Sequence, residues 1–186
     1  MKRRRDLGYV KGLDEYELRL QMIVPNIQRL QAASRQRGIE VIFTRLRGMT
    51  KDGRDCSRGH KELGYLFPPN SKETEILEEL APMGDEMVFD KTAGSVFNAT
   101  NLHYVLQNMD IRNLVLVGVM TAGCVESAAR DAKDLGYRVI VVEDCCAAYT
   151  QEQHENSIRV MRETYAKIKT TAEVLSSISS PVLKGS

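Results

Sequence analysis

With 186 residues the chain is long enough for one domain with a real core, and 42% hydrophobic and 27% charged residues fit a soluble globular protein. Lys plus Arg total 26 against 25 Asp plus Glu, so net charge gives no general reason for a polyanionic partner. No apolar stretch is long enough to cross a bilayer, and none follows the basic start Lys2-Arg3-Arg4-Arg5. No nucleic-acid partner, no membrane partner and a cytoplasmic location are therefore expected, with the basic start read as a frayed end. In chain order, Ile23, Ile27 and Leu30 give residues 16–37 a helical spacing that stops at Gly38, with Pro25 a helix start or a kink. Residues 39–43 are β-branched and read as a strand, and 45–71 read as a long loop of the kind that often serves as a lid.

An acidic helix is expected at 73–80 and a strand at 86–90. Leu102, Val105, Leu106 and Met109 share one helical face. The runs 114–117 and 139–142 are continuously apolar, as in strands covered on both faces. Between them Val125, Ala128, Ala129, Ala132 and Leu135 form a helical stripe closed by Gly136. A helix at 151–165, a short strand near Ile168 and a last helix from Thr171 complete the order. Alternating strands and helices with buried strands predict an α/β fold, a mainly parallel sheet with helices on both faces. One domain over residues 1–186 is expected, with 1–15 and 179–186 as loose ends.

Four cysteines (Cys56, Cys124, Cys145 and Cys146) in a chain of this size do not read as a disulfide framework, and reduced thiols are expected. A thiol redox role for Cys124 or the Cys145-Cys146 pair is a weaker reading, because no Cys-x-x-Cys is present.

Parallel sheets place sites at the carboxyl ends of strands. Residues 118–124 (GVMTAGC) run from a buried strand into a helix, which puts Cys124 at a helix N-terminus. Unpaired N–H groups and the helix dipole there favour a thiolate and can bind an oxyanion. The same pattern fits a packed core cysteine. Lys91 ends the strand at 86–90 and could hold a thiolate by charge, or be a solvated surface lysine. Ser95 and Thr100 read as caps, Phe97 as facing either substrate or core, and His154 as a packing or capping histidine. Arg45 and Arg47 fit either a substrate carboxylate or a solvated loop equally well.

Residues 118–127 (GVMTAGCVES), with Ala129-Arg130-Asp131-Ala132 and Leu135-Gly136-Tyr137, resemble the nucleophile segment of the isochorismatase-like cysteine hydrolases. Lys91 with Ser95, Phe97, Thr100 and Leu102 resembles that family's lysine segment, and Asp144, Ala147-Ala148 and His154 fit its next strand and helix. The likeness spans about residues 16–175 and implies a three-layer αβα fold with a six-stranded, mainly parallel sheet. It implies Cys124 as nucleophile, Lys91 as second triad member, and an oxyanion hole from the Met120 and Cys124 amides. It also implies a cis peptide between Val119 and Met120. Ser95, Phe97 and Thr121 are expected to touch substrate.

Cys124 points to the amidase branch, which resembles the ureidoacrylate, biuret and carbamoyl amide hydrolases. The expected partner is a small amide or ureido compound, cleaved at a C–N bond through a thioester. No cofactor and no metal are expected, since Cys56 and His60 lack the ligand count of a zinc site. A homo-oligomer is expected by the same resemblance. The family begins on an apolar strand ending in Asp-x-Gln, whose aspartate is the general base. Residues 1–6 (MKRRRD) show no such strand, and neither Asp6 nor Asp14 fits the role. The first strand is thus expected to be missing from the sheet. That leaves an alternative, a catalytically impaired relative serving as an oligomerising or interaction scaffold.

Overall fold

The computed structural model of the chain describes residues 13–179. Helix α1 (Leu13–Gln36) is followed by strand β1 (Phe43–Leu46), short helix α2 (Arg58–Glu62) and strand β2 (Val88–Lys91). Then come α3 (Val96–Ala99), α4 (Leu102–Asn108), β3 (Asn113–Val119), α5 (Glu126–Asp134) and β4 (Arg138–Ala147). The order closes with α6 (Gln151–Thr164), β5 (Lys167–Lys169) and α7 (Thr171–Ser179). Every strand pairing is parallel: β1 with β2, and β4 between β3 and β5.

Strand β4 shows why this is a three-layer αβα fold. Val139 and Val141 point into one core with Leu106, Val125, Ala129 and Met161. Ile140 and Val142 point to the opposite face, against Ile23, Ile27 and Leu30 of α1 and Val174 of α7. This is the two-residue alternation of a strand buried on both faces. The α1 stripe at Ile23, Ile27 and Leu30 is the spacing read from the sequence, and Gly38 at φ +64° takes the left-handed position that ends it. Pro25 sits inside α1, not at its start. Arg35 near the end of α1 donates to both carboxylate oxygens of Glu86 at 2.7 and 2.8 Å, tying the helix to the approach of β2.

Four expectations need correction. The strand expected at 39–43 starts at Phe43, because the ladder to β2 begins with Phe43 opposite Val88, and Ile39 is exposed. The acidic helix at 73–80 is two single 3₁₀ turns, Lys72–Thr74 and Glu78–Leu80, neither burying a residue. Without an apolar stripe to bury, tertiary packing adds nothing to hold a longer helix. The run 114–117 is not covered on both faces: Val115 is 46% exposed. The reason lies in the topology, since among the described residues β3 pairs only with β4 and the β1–β2 pair shares no ladder with it. Finally, residues 13–15 are the first turn of α1 and not a loose end, whereas 1–12 and 180–186 lie outside the described residues.

Candidate active site

Strands β2 and β3 carry the site at their carboxyl ends. In β3 the register against β4 slips between Leu116 and Gly118, and Gly118 adopts φ +106°, a backbone state that strains any residue with a Cβ. The next peptide, Val119–Met120, is cis, where the resemblance puts it. A distorted turn, Thr121–Val125, then leads into α5. Met120 O accepts from the amides of Gly123 and Val125, both at 3.1 Å, which curls the turn tightly around Cys124. Cys124 is partly exposed, unlike Cys56, Cys145 and Cys146, and all four are free thiols.

Lys91 ends β2 and is 3% exposed. It is not a solvated surface lysine. Its Nζ donates to Ala93 O at 3.0 Å, Gly94 O at 2.8 Å and Cys124 Sγ at 3.0 Å. Three donors meet three acceptors, so the ammonium is fixed with one N–H aimed at sulfur. After Lys91 the chain turns back on itself, and Ser95 Oγ accepts from Phe97 N to start α3. Among the described residues, neither Lys91 nor Cys124 hydrogen-bonds a carboxylate. Asp6 lies outside the described residues, as does the side chain of Asp14.

The loop after β1 closes one wall. Arg47 N donates to Lys91 O and Ser57 N to Thr92 O, both at 3.0 Å. Cys56, His60, Tyr65 and Phe67 line a tight pocket with Lys91. Burial, then the Lys91 charge, pushes the His60 imidazole below its ordinary value. Asp55 braces the loop by accepting from Met49 N, Thr50 N and the Thr50 hydroxyl, which together hold its carboxyl down at about 2. Arg45 pairs with Glu75 and Asp90, and Arg47 pairs with Glu75, so both spend their charge within the protein. No three His, Cys, Asp or Glu side chains converge as a metal site among the described residues.

Each of the three residues expected to touch substrate makes a structural contact in the protein. Ser95 is buried as the cap of α3. Phe97 packs on the main core, its ring 5.8 Å from that of Tyr137. Thr121 is fully buried, with Oγ1 2.9 Å from His154 Nδ1. Thr100, expected as a cap, ends α3 and lies one residue before Asn101, the N-cap of α4; its hydroxyl donates to Val96 O and accepts from Leu102 N. The Cys145-Cys146 pair lies in the sheet: burial pushes Cys145 up to about 11 and raises Cys146 as well, the opposite of a reactive thiol.

Sequence spacing gave no sign of how α6 grips the nucleophile turn. His154 reaches Thr121 Oγ1, and Ser157 Oγ lies 3.1 Å from Thr121 O while also touching Glu126. Glu126 in turn holds Arg130 at 2.6 Å, and Arg130 lies over the Tyr165 ring at 4.2 Å.

The isochorismatase domain model matches residues 10–173. The chain belongs to the isochorismatase family. It is 32% identical over 130 residues to an N-carbamoylsarcosine amidase of an Arthrobacter species, covering 66% of this chain and 48% of that protein. It is 36% identical over 158 residues to a probable inactive nicotinamidase of Arabidopsis thaliana, covering 81% and 80%. It is 35% identical over 138 residues to the ureidoacrylate amidohydrolase RutB of Agrobacterium fabrum, covering 65% and 60%. Among solved structures, a cysteine hydrolase from Pseudomonas syringae pv. phaseolicola superposes with a TM-score of 0.81 at 28% identity, covering 86% of this chain and 81% of that one. The chain thus spans about half the length of one amidase relative and four-fifths of the probable inactive one. The isochorismatase family is hydrolytic and includes amidases that act on carbamoyl and ureido compounds, as these relatives' names state.

Proposed function

We propose that this isochorismatase-family chain is a cysteine hydrolase that attacks the C–N bond of a small amide, ureido or carbamoyl compound. The observation that carries this reading is the 3.0 Å contact between the Lys91 ammonium and Cys124 Sγ, with both other Lys91 donors held by carbonyls. In the first half-reaction the Cys124 thiolate adds to the carbonyl carbon and a C–S bond forms. Negative charge moves to the carbonyl oxygen, which the Met120 and Cys124 amides are proposed to hold. The C–N bond then breaks as ammonia or an amine leaves with a proton. In the second, water adds to the thioester, the C–O bond forms and the C–S bond breaks.

Proton delivery is the weak step. Amide nitrogen leaves poorly unless protonated, and the described residues offer only the Lys91 ammonium beside the sulfur. Slow turnover by the 186-residue chain is the expected result, with ammonia release lost in Cys124→Ser. The check is ammonia release from a panel of ureido and carbamoyl amides. Release unchanged in Cys124→Ser would overturn the assignment, and release as fast as in the amidase relatives would overturn the slow step.

A second reading, an impaired family member that persists as a scaffold, is favoured by the relative named as a probable inactive nicotinamidase. It also draws on the lack of a carboxylate at the Lys91–Cys124 pair among the described residues. A homo-oligomer fits either reading. Exposed Val115 and Val119 on β3, an edge strand among the described residues, are a physical motive for association.

A further inference from the structure

The Thr121 hydroxyl is fully buried, and its hydrogen-bond partner is Nδ1 of His154 at 2.9 Å. A buried hydroxyl needs an acceptor for its proton, which assigns the direction of this bond: Thr121 donates, and the neutral imidazole accepts at Nδ1 and carries its proton on Nε2. Thr121 is the first residue of the turn that holds Cys124. The His154 ring is only partly buried and lines an open cleft of about 410 Å³ with Glu143, Asp144, Gln151, Glu155 and Arg162. Solvent protons therefore reach it.

We propose that His154 is a positioning residue for Cys124, holding the nucleophile turn through Thr121 when neutral and releasing it when protonated. The inference rests on the reading of Cys124 as nucleophile. When a proton from the cleft binds Nδ1, that nitrogen becomes a donor. Thr121 Oγ1 must then rotate to accept, and its own proton is left buried without an acceptor. The groups facing His154 set where this happens. Glu143 of β4 and Glu155 of α6 favour the imidazolium and Arg19 of α1 disfavours it, with Asp144 and Arg162 on the same cleft. Burial outweighs the two carboxylates and leaves the imidazole below its ordinary 6.5. The sign follows. The unfolded chain takes up the proton first, so the turn is held fully above about pH 6.5 and loosens as pH falls through the lower folded value.

The test is the rate of Cys124 alkylation by iodoacetamide against pH, with the labelled cysteine located by peptide mapping. The intact chain is expected to show a lower step, below about pH 6.5, from His154. His154→Asn places a carbonyl oxygen near Nδ1 and accepts at every pH. It is expected to recover the neutral-pH rate to within about twofold while losing the lower step. His154→Leu leaves the buried hydroxyl unpaired and is expected to slow alkylation about tenfold at neutral pH. A lower step that survives in His154→Asn, or an unchanged rate in His154→Leu, overturns the proposal. Circular dichroism melting checks each variant, and if His154→Leu does not fold, the His154→Asn profile alone decides. Alkylation needs no amide substrate. A chain that alkylates as described but is acylated by no carbamoyl compound therefore fails only as a hydrolase.

Discussion

Replacing Lys91 by methionine is expected to slow alkylation of Cys124 at neutral pH by about a hundredfold. Methionine fills most of the space of the lysine stem but supplies no donor. The sulfur loses its 3.0 Å ammonium partner, and Ala93 O and Gly94 O lose theirs. Two part-buried carbonyls left without that donor also cost stability, up to about 1–3 kcal/mol each where water cannot reach them. Rate and stability are separable: the alkylation rate is read well below the melting transition, where the variant is folded. If Lys91→Met melts lower but reacts at the wild-type rate, Lys91 is a structural tie between β2 and the 92–95 turn and no partner of the thiolate.

The largest stability effect is expected from Leu106→Ala. Leu106 is 1% exposed in α4, within the core that also holds Val96 beside the lysine segment and Val125, Ala129 and Ala132 behind the nucleophile turn. Removing its branched end is expected to cost about 2–5 kcal/mol, a large share of the 5–15 kcal/mol of an ordinary domain. The midpoint of urea unfolding should fall accordingly. Tyr104→Ala on the exposed face of the same helix, where Tyr104 is 65% exposed, should cost within about 0.5 kcal/mol. Equal shifts for the two would mean that α4 does not close this core. Because one cluster backs both catalytic segments, Leu106→Ala should also loosen the Lys91–Cys124 contact before the chain unfolds globally.

Features set by local chemistry could be read from the sequence. The stripes of α1 and α5 gave both helices, Gly38 and Gly136 gave their ends, and the alternation of strands and helices gave the parallel αβα layering. Cys124 at a strand-to-helix turn and Lys91 at a strand end were legible in the local pattern, the Val119–Met120 cis peptide followed from motif resemblance, and the structure brings all three to one place. What depends on distant partners could not be read. Ile39 looked as much like a strand residue as Phe43, and only the Val88 ladder decides between them. The capping bond of Ser95, the core contact of Phe97 and the bond of Thr121 to His154 likewise join groups that no spacing near the reactive pair announces. The grip of α6 on the turn joins residues 33 apart in the chain, a separation that carries no periodic signal. The buried state of Lys91 was hidden for the same reason, since composition counts a lysine as surface until three acceptors are found for it.

The central claim is that Cys124 is a nucleophile toward carbamoyl and ureido carbonyls. Acid-quenched intact-mass spectrometry with peptide mapping, after incubation with a panel of such amides, tests it most directly. The account predicts a mass gain of one acyl group on Cys124 that persists because turnover is slow, with none on Cys56, Cys145 or Cys146. An unmodified Cys124 throughout the panel, with no ammonia released at any time point, would contradict it.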